Sequence, residues 1–198
     1  ARAETFARDT GASRVAVVWN CPRRDEVVPR RAEPVSSVLR VLYQGSIVPA
    51  RLPGEMIEAV GRVPAVDLTI VGYETAGAPG YGRVLLDIAA LAGAAERVRV
   101  AGTTPTRADL MRDCATFDVG LSLLPEESGD VNEEHMTGAS NKPFDYLACG
   151  LAVLVTDRPD WRAFYVDPGY ARACHAHSVE SLVEAFAWFA AHGAETRA

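Results

Sequence analysis

The segment at 140–155 reads SNKPFDYLACGLAVLV. A loop of small residues leads to Pro143, and proline is favoured in the first turn of a helix. Apolar residues then recur at helical spacing up to Cys149, and Gly150 follows as a C-cap residue. The run at 152–155 is apolar throughout, as in strands that are buried on both faces. The segment therefore predicts a helix over 143–149 and a buried strand over 152–155.

The same alternation continues through the rest of the chain. Short runs rich in β-branched residues predict strands at 14–19, 38–43, 67–71, 98–101 and 119–123. Apolar residues at helical spacing predict helices at 53–61, 84–95, 106–115 and 179–192. We expect the last helix to pack Leu182, Phe186 and Phe189 on the sheet. Alternating strands and helices imply right-handed crossovers. The predicted fold class is α/β, a Rossmann-like parallel sheet with helices on both faces.

Composition excludes several classes of protein. The 198 residues are 48% hydrophobic and 23% charged, which fits one globular domain. A net charge of -6 gives no general attraction to polyanions, so we expect no nucleic-acid partner. No apolar run is long enough to span a bilayer, and the N-terminus lacks the apolar centre of a signal peptide. We therefore expect a soluble, cytoplasmic protein.

Cysteine spacing and the chain ends add two expectations. The four cysteines form no CxxC pair, and three lie in apolar surroundings, which predicts reduced and buried thiols. The stretch at 21–37 is rich in proline and charge and predicts a linker or surface excursion. The chain starts without methionine and stops just after a helical segment, so we expect a piece of a longer protein that continues beyond Ala198.

Three loops follow predicted strands, at the edge where open parallel sheets bind ligands. In the loop at 44–51, Gly45 allows close backbone approach and Arg51 can reach a phosphate, although this loop taken alone favours an ordinary turn with a solvated arginine. The glycine-rich loop at 72–82 lacks the Lys-Ser/Thr ending of a P-loop, which favours a plain mobile loop. Backbone groups at Gly102 and Thr103 are placed to meet the edge of a base.

The fourth loop carries the most chemistry. Its end at 140–145 predicts backbone amides of Ser140 and Asn141 that point outward at the positive end of a helix dipole. Lys142 adds a full positive charge, and Asp145 follows one helical turn after Asn141, where it can accept hydrogen bonds from a ribose. These groups fit a diphosphate joined to a ribose. The alternative without a ligand is that Lys142 and Asp145 are solvated and that the proline simply starts an ordinary helix.

Two clusters suggest metal at first sight. The acidic stretch at 126–134 is typical of a solvated loop, and the Cys174-His175-Ala176-His177 cluster lacks a second group of ligands at a zinc-finger spacing. We therefore predict no metal site.

The run at 140–155 resembles the donor-binding signature of GT-B glycosyltransferases, in particular the large retaining group called family four, or glycosyl transferases group 1. The Gly-x-x-x-Pro-x-Arg loop at 45–51, the strand ends at 70–72 and 100–102 and the helix after Ser178 fit the same order. The resemblance implies the C-terminal half of a GT-B fold. It divides the chain into a connecting segment and end of the acceptor-side region at 1–37, and a nucleotide-sugar donor-binding domain at 38–198.

The resemblance also implies roles for individual residues. Arg51 and Lys142 would be the catalytic cations that neutralise the diphosphate, and Asp145 takes the place of a glutamate that holds the ribose. The other implied substrate-binding residues are Gly45, Ser46, Gly102, Thr103, Thr137, Gly138, Ser140 and Asn141. Two positions depart from the family pattern, because Ser46 replaces a common arginine and Thr137 replaces an acidic residue that contacts the transferred sugar. With Ser46 one diphosphate contact of the family is missing, and Thr137 bears on the identity of the sugar and on catalytic competence.

As an activity, the resemblance implies metal-independent, retaining glycosyl transfer from a nucleoside diphosphate sugar, which is a substrate, so no cofactor is implied. The acceptor, a saccharide, lipid or small molecule, would lie in a missing N-terminal domain, so we expect this chain alone to be inactive. Two alternatives stay open: a nucleotide-sugar epimerase or hydrolase with the same fold, and a non-catalytic nucleotide-sugar-binding module.

Overall fold

Six strands form one parallel sheet in the computed structural model, which describes residues 2–29 and 37–193. The strands are β1 (Leu39–Ile47), β2 (Val66–Glu74), β3 (Val98–Gly102), β4 (Val119–Ser122), β5 (Ala152–Thr156) and β6 (Ala171–Cys174). Their order in the sheet is β3-β2-β1-β4-β5-β6, and every neighbouring pair is parallel. The chain therefore winds outward from β1 and returns to its other side at β4. The carboxyl ends of β1 and β4 form the switch point, where open α/β sheets bind ligands.

Helices cover both faces of this sheet. The α-helices of the described residues are α1 (Arg2–Thr10), α2 (Gly54–Arg62), α3 (Tyr81–Leu91), α4 (Arg107–Cys114), α5 (Val131–Glu134), α6 (Asn141–Ala148), α7 (Pro159–Trp161) and α8 (Val179–Ala191). One buried cluster joins the sheet to α2, α3 and α8, and a second joins it to α4, α6 and α7. Leu182, Phe186 and Phe189 of α8 are buried in the first cluster, as expected. The predicted fold class is confirmed.

Local signals placed most elements within a few residues. Thr106 and Ser178 cap α4 and α8 through side-chain oxygens that accept from the amides of Asp109 and Ser181. Gly150 follows α6 with a left-handed φ of 75°. The structure adds β6, the N-terminal helix α1 and the short helices α5 and α7, none of which we predicted. In β6 only Cys174 is buried, so its sequence lacks the continuous apolar run that marks a central strand.

The strand predicted at 14–19 is wrong. This stretch has no regular secondary structure, and Val17 and Val18 are 65% and 90% exposed. Apolar β-branched residues fit a strand only where a neighbouring strand offers a surface to pack on, and here β3 and β6 remain the sheet edges. The predicted linker at 21–37 contains a short 3-10 turn at Arg24–Glu26, while its residues 30–36 lie outside the described residues.

All four cysteines are free thiols, and Cys114, Cys149 and Cys174 are buried, as predicted. None of the helices in the described part of the chain combines the length and the apolar character that crossing a membrane requires.

Candidate functional site

A cavity of about 370 Å³ opens at the carboxyl ends of β1 and β2, beside the switch point. The start of α6 forms one of its walls, and the loop after β3 forms another. The lining residues are Gln44, Gly45, Ser46, Arg51, Val71, Gly72, Tyr73, Thr103, Thr104, Leu110, Asn141 and Lys142. Six residues named from the sequence, Gly45, Ser46, Arg51, Thr103, Asn141 and Lys142, therefore share this one cavity. Their side chains and backbone combine two cations with several hydrogen-bonding groups.

Two glycines bring the backbones of β1 and β2 close together at the mouth of the cavity. Gly45 and Gly72 face each other in the strand register, and a Cβ atom on Gly72 would overlap the Gly45 carbonyl oxygen. Gly45 has a φ of 124°, and a Cβ there would lie 2.9 Å from Cε of Lys142. Both positions thus need glycine, and the space at Gly45 is taken by the lysine side chain.

Lys142 is the only lysine in a chain that carries 20 basic residues, and it is buried, with 8% of its surface exposed. Its Nζ lies 5.5 Å from the centroid of the Tyr43 ring. Within residues 2–29 and 37–193 the ammonium has neither a hydrogen bond nor a carboxylate partner. Burial, and then the nearby positive charge of Arg51, lower the pKa of Lys142 to about 8. A buried cation without a counter-charge favours an anionic ligand.

Arg51 provides the second cation of the cavity. Its Nη2 atom lies 3.6 Å from Oε1 of Glu133, and both side chains are mostly buried. Glu133 belongs to α5 in the acidic segment, and its other carboxylate oxygen accepts a hydrogen bond of 2.8 Å from the Ser128 hydroxyl. The acidic segment, expected to be a plain solvated loop, therefore lends one carboxylate to the edge of the cavity.

Asp145 lies beneath the cavity and not in its wall. The side chain is fully buried, and its carboxylate accepts two hydrogen bonds of 2.7 and 2.6 Å from the Arg107 guanidinium. It also accepts from Nε2 of Gln44 at 3.0 Å and from Nδ2 of Asn141 at 3.4 Å. Gln44 and Asn141 line the cavity, so Asp145 holds the amide groups that a ligand would meet.

Gln44 and Arg107 belong to this cluster but were not named from the sequence. Gln44 carries a detectable signal, because it is a polar residue that directly follows the apolar run at 41–43 and precedes Gly45. Arg107 carries no such signal, since the chain has many arginines and this one stands at the start of an ordinary helix. Hydrogen bonding to Asp145, more than the opposing effect of its burial, raises the pKa of Arg107, so the guanidinium stays charged.

The remaining predicted residues lie outside the cavity wall. The Thr137 hydroxyl donates to the Asp160 carboxylate, and Gly138 lies against Trp19. The Ser140 amide donates to the Met136 carbonyl oxygen at 3.0 Å, so the expectation that it points outward is wrong. The Ser140 amide is therefore used within the turn before α6 and is not available to a ligand. Gly102 ends β3 with a left-handed φ of 73° and directs Thr103 and Thr104 into the wall.

The two histidines near β6 contact different carboxylates. Nδ1 of His175 is 3.0 Å from Glu126, and Nδ1 of His177 is 3.4 Å from Glu55 on α2. Among the residues that the structure describes, no group of three or more His, Cys, Asp or Glu side chains is arranged to hold a metal ion.

Comparison with known proteins at the sequence level finds no matching family model and no matching curated protein. Solved structures do match. The C-terminal domain of a glycosyl transferase group 1 family protein from Francisella tularensis has a TM-score of 0.64 at 15% identity, over 88% of this chain and 82% of that chain. The chain has the fold of a GT-B C-terminal domain. Sucrose-phosphate synthase from Thermosynechococcus elongatus matches with a TM-score of 0.70 at 15% identity, over 98% of this chain.

Anabaena HepE, solved in complex with UDP and glucose, has a TM-score of 0.62 at 15% identity over 81% of this chain. This chain spans 48% of the sucrose-phosphate synthase chain and 40% of the HepE chain, which is about half of a GT-B protein or less. The division into a connecting segment at 1–37 and a donor-binding domain at 38–198 stays a prediction, because neither the fold nor these matches test it.

Proposed function

We propose that this domain binds the nucleoside diphosphate sugar of a glycosyltransferase, for transfer to an acceptor held elsewhere in the protein. The single observation that carries the proposal is Lys142, a buried ammonium that has no hydrogen-bond or carboxylate partner among the described residues and shares the switch-point cavity of a GT-B fold with Arg51. An anion with at least two negative charges complements these two cations. The UDP in the structure of HepE, a protein with the same fold, is consistent with a nucleoside diphosphate.

The cavity wall suggests how the parts of the donor are divided. Arg51 and Lys142 hold the diphosphate beside the backbone of Gly45 and the hydroxyl of Ser46. Thr103 and Thr104 frame the base, and the amides of Gln44 and Asn141 meet the ribose. Asp145 acts beneath them, because direct contact between its carboxylate and the ribose would require the Arg107 guanidinium to move away.

The proposed chemistry is metal-independent glycosyl transfer with retention of configuration. When the bond between the sugar and the diphosphate breaks, negative charge grows on the leaving diphosphate. Two cations fixed in this cavity stabilise that charge at the moment it develops. Arg51 and Lys142 are therefore the residues that we propose to be catalytic.

A non-catalytic donor-binding module is the second candidate. It is favoured by Thr137, whose hydroxyl is bonded to Asp160 and lies outside the cavity wall, where the family resemblance expects an acidic residue toward the sugar. The two candidates differ in one measurement. A catalytic protein releases nucleoside diphosphate from its sugar donor when the full-length protein meets an acceptor, and a binding module leaves the donor intact.

The binding proposal is tested by thermal unfolding with UDP, GDP, ADP and dTDP, their sugar conjugates and the four nucleosides. A ligand that binds only the folded state, at a hundred times its Kd, should raise Tm by about 5 to 10 °C for a domain of this size. We expect one base to be preferred and its diphosphate to exceed its nucleoside. If none of the diphosphates shifts Tm, the proposed function is wrong.

Replacing Arg51 with alanine should weaken binding of the preferred diphosphate by roughly 1.5 to 3 kcal/mol, the range for a hydrogen bond to a charged group. Binding of the matching nucleoside should change much less, because it has no phosphate. Isothermal titration calorimetry measures both. Glu127→Ala, in the acidic segment, is the control and should leave both affinities unchanged. Equal diphosphate affinity in wild type and Arg51→Ala would remove Arg51 from the site.

Replacing Glu133 with glutamine should strengthen diphosphate binding, because the Glu133 carboxylate competes with phosphate for Arg51. The pair is not fully buried, so we expect a gain of about 0.5 to 1 kcal/mol that shrinks as salt is added. Titrations at low and high ionic strength, with Glu127→Gln as the charge-matched control, check this. Weaker binding by Glu133→Gln would instead place the carboxylate among the groups that assist the donor.

A further inference from the structure

Trp19 lies directly on the loop that leads into α6. A Cβ atom on Gly138 would come within 2.7 Å of the six-membered ring of the indole, and Gly138 has a left-handed φ of 75°. The residue at 138 must therefore be small for the ring to lie there, and glycine also suits its backbone. The indole and the Gly138 backbone touch with no side chain between them.

Aromatic neighbours hold the indole in this place. The ring stacks on Phe164 with centroids 4.8 Å apart and 22° between planes, and it meets the edge of Phe144 at 5.9 Å. Phe144 belongs to α6 itself, and Phe164 lies in the π turn at Arg162–Val166. The indole thus connects the N-terminal segment, residues 2–29, to α6, the helix that contains Lys142.

Asn20 fixes the same loop by hydrogen bonds. Its Nδ2 donates to the Ala139 carbonyl oxygen at 2.7 Å, and its backbone amide donates to the Gly138 carbonyl oxygen at 3.3 Å. Helix α6 begins at Asn141, only two residues after Ala139. The contacts from residues 19 and 20 therefore set the path of the backbone just before the two residues of α6 that line the cavity.

A third contact ties the N-terminal segment to the layer beneath the cavity. Oε1 of Glu26 lies 3.5 Å from Nε of Arg107, the residue that holds Asp145. The N-terminal segment therefore contacts the surroundings of the cavity at two places. Residues 19 and 20 contact the loop at 138–139, and Glu26 contacts Arg107. The apolar residues of this segment do not extend the sheet, and its only tryptophan, Trp19, packs on the α6 loop.

We infer that Trp19 is a positioning residue for the diphosphate site, acting through the loop at 137–140 on the placement of Asn141 and Lys142. The inference rests on the proposed function, since it names a residue that orders the same cavity. Trp19 touches no wall of that cavity and is 42% exposed, so it acts on the ligand only through the loop.

The test compares Trp19→Ala with Val18→Ala, a control at the neighbouring position that is 90% exposed. The probe is the diphosphate with the largest effect among UDP, GDP, ADP and dTDP. We expect its affinity to fall about threefold to thirtyfold in Trp19→Ala, the usual size of coupling through a packed neighbour, and to stay unchanged in Val18→Ala. Trp19→Phe keeps an aromatic ring on Gly138 and should restore most of the affinity.

Hydrogen exchange without ligand gives a readout that does not depend on the nucleotide. Amides at 138–142 should exchange faster in Trp19→Ala than in Val18→Ala, while those of β1 and β4 keep their protection. If Trp19→Ala does not fold, Asn20→Ala, which removes only the bond to Ala139, should show the same two effects at smaller size.

The outcomes separate the inference from the proposed function. If wild type binds none of the four diphosphates, the proposed function fails and the inference falls with it. If wild type binds and Trp19→Ala binds equally well, the function stands and the inference is overturned. Unchanged exchange at 138–142 in Trp19→Ala overturns it in the same way.

Discussion

Replacing Lys142 with methionine is expected to weaken diphosphate binding by roughly 2 to 5 kcal/mol, the range for removing one partner of a buried charge pair. The same change should raise the free energy of unfolding of the unliganded protein by about 1 kcal/mol, since an apolar side chain of similar length no longer places an unpaired charge in the interior. Calorimetric titration and urea unfolding give the two numbers. A lower affinity together with a higher free energy of unfolding is the result expected of a residue that serves ligand binding at the expense of stability.

The pH dependence follows from the pKa of Lys142, which is about 8 in the folded protein against an ordinary value of 10.5. Below about pH 8 the lysine is protonated in both the folded and the unfolded state, so its contribution to stability is constant. Between about 8 and 10.5 the unfolded state binds more protons, so the free energy of unfolding rises with pH. Diphosphate affinity should move the other way and fall as pH rises through about 8.

These pH effects have two sharp controls. Arg51→Ala keeps the lysine and should keep a pH dependence at lower affinity, moved to higher pH because the Arg51 charge no longer lowers the pKa of Lys142. Lys142→Met should lose the pH dependence, because arginine stays charged throughout this range. Since Lys142 is the only lysine, methylating amines with a carbon-13 label gives one lysine signal whose titration reports the pKa directly. A measured pKa near 10.5, together with an unfolding free energy that Lys142→Met does not raise, would show that the ammonium is solvated.

Much of this site could be predicted because its signals are local. The helix start at 140–143, the glycine after α6 and the apolar run of β5 lie in one short segment, and each follows from the conformational needs of its own residues. The placement of Arg51 beside Lys142 needed only the rule that carboxyl ends of parallel strands meet at one edge. Six of the eleven predicted site residues line the cavity as a result.

The features that could not be predicted depend on how deeply a side chain is buried and on contacts between residues that are distant in the sequence. The sequence shows that Asp145 is one helical turn from Asn141, but not that Arg107, 38 positions earlier, closes over its carboxylate. The strand expected at 14–19 failed for a related reason, because β-propensity does not say whether a partner strand is present. For the same reason, the sequence does not indicate that Trp19 contacts Gly138.

The buried carboxylate of Asp145 leads to the last prediction, on stability. Arg107→Ala would leave this fully buried charge with the Gln44 and Asn141 amides as its remaining donors among the described residues, and should cost about 3 to 5 kcal/mol of the free energy of unfolding. Asp145→Asn should cost less, about 1 to 2 kcal/mol, because the Arg107 side chain is 36% exposed and can turn to water and Glu26.

The double variant Arg107→Ala/Asp145→Asn tests the cause, since it removes both charges. If the cost of Arg107→Ala comes from an uncompensated carboxylate, the double variant should be more stable than Arg107→Ala alone, which gives a coupling energy that urea unfolding can measure. Arg83→Ala, which breaks the exposed pair with Asp87 on α3, is the matched control and should change stability by less than about 0.5 kcal/mol.

Ligand binding completes the test of Asp145. Asp145→Asn should weaken the preferred diphosphate and its nucleoside alike, because the Gln44 and Asn141 amides that we propose to meet the ribose lose their charged anchor. Arg51→Ala, by contrast, should weaken the diphosphate alone. An Asp145→Asn protein that folds and binds both ligands as tightly as wild type would show that this carboxylate serves only the fold, and that the ribose is held by other groups.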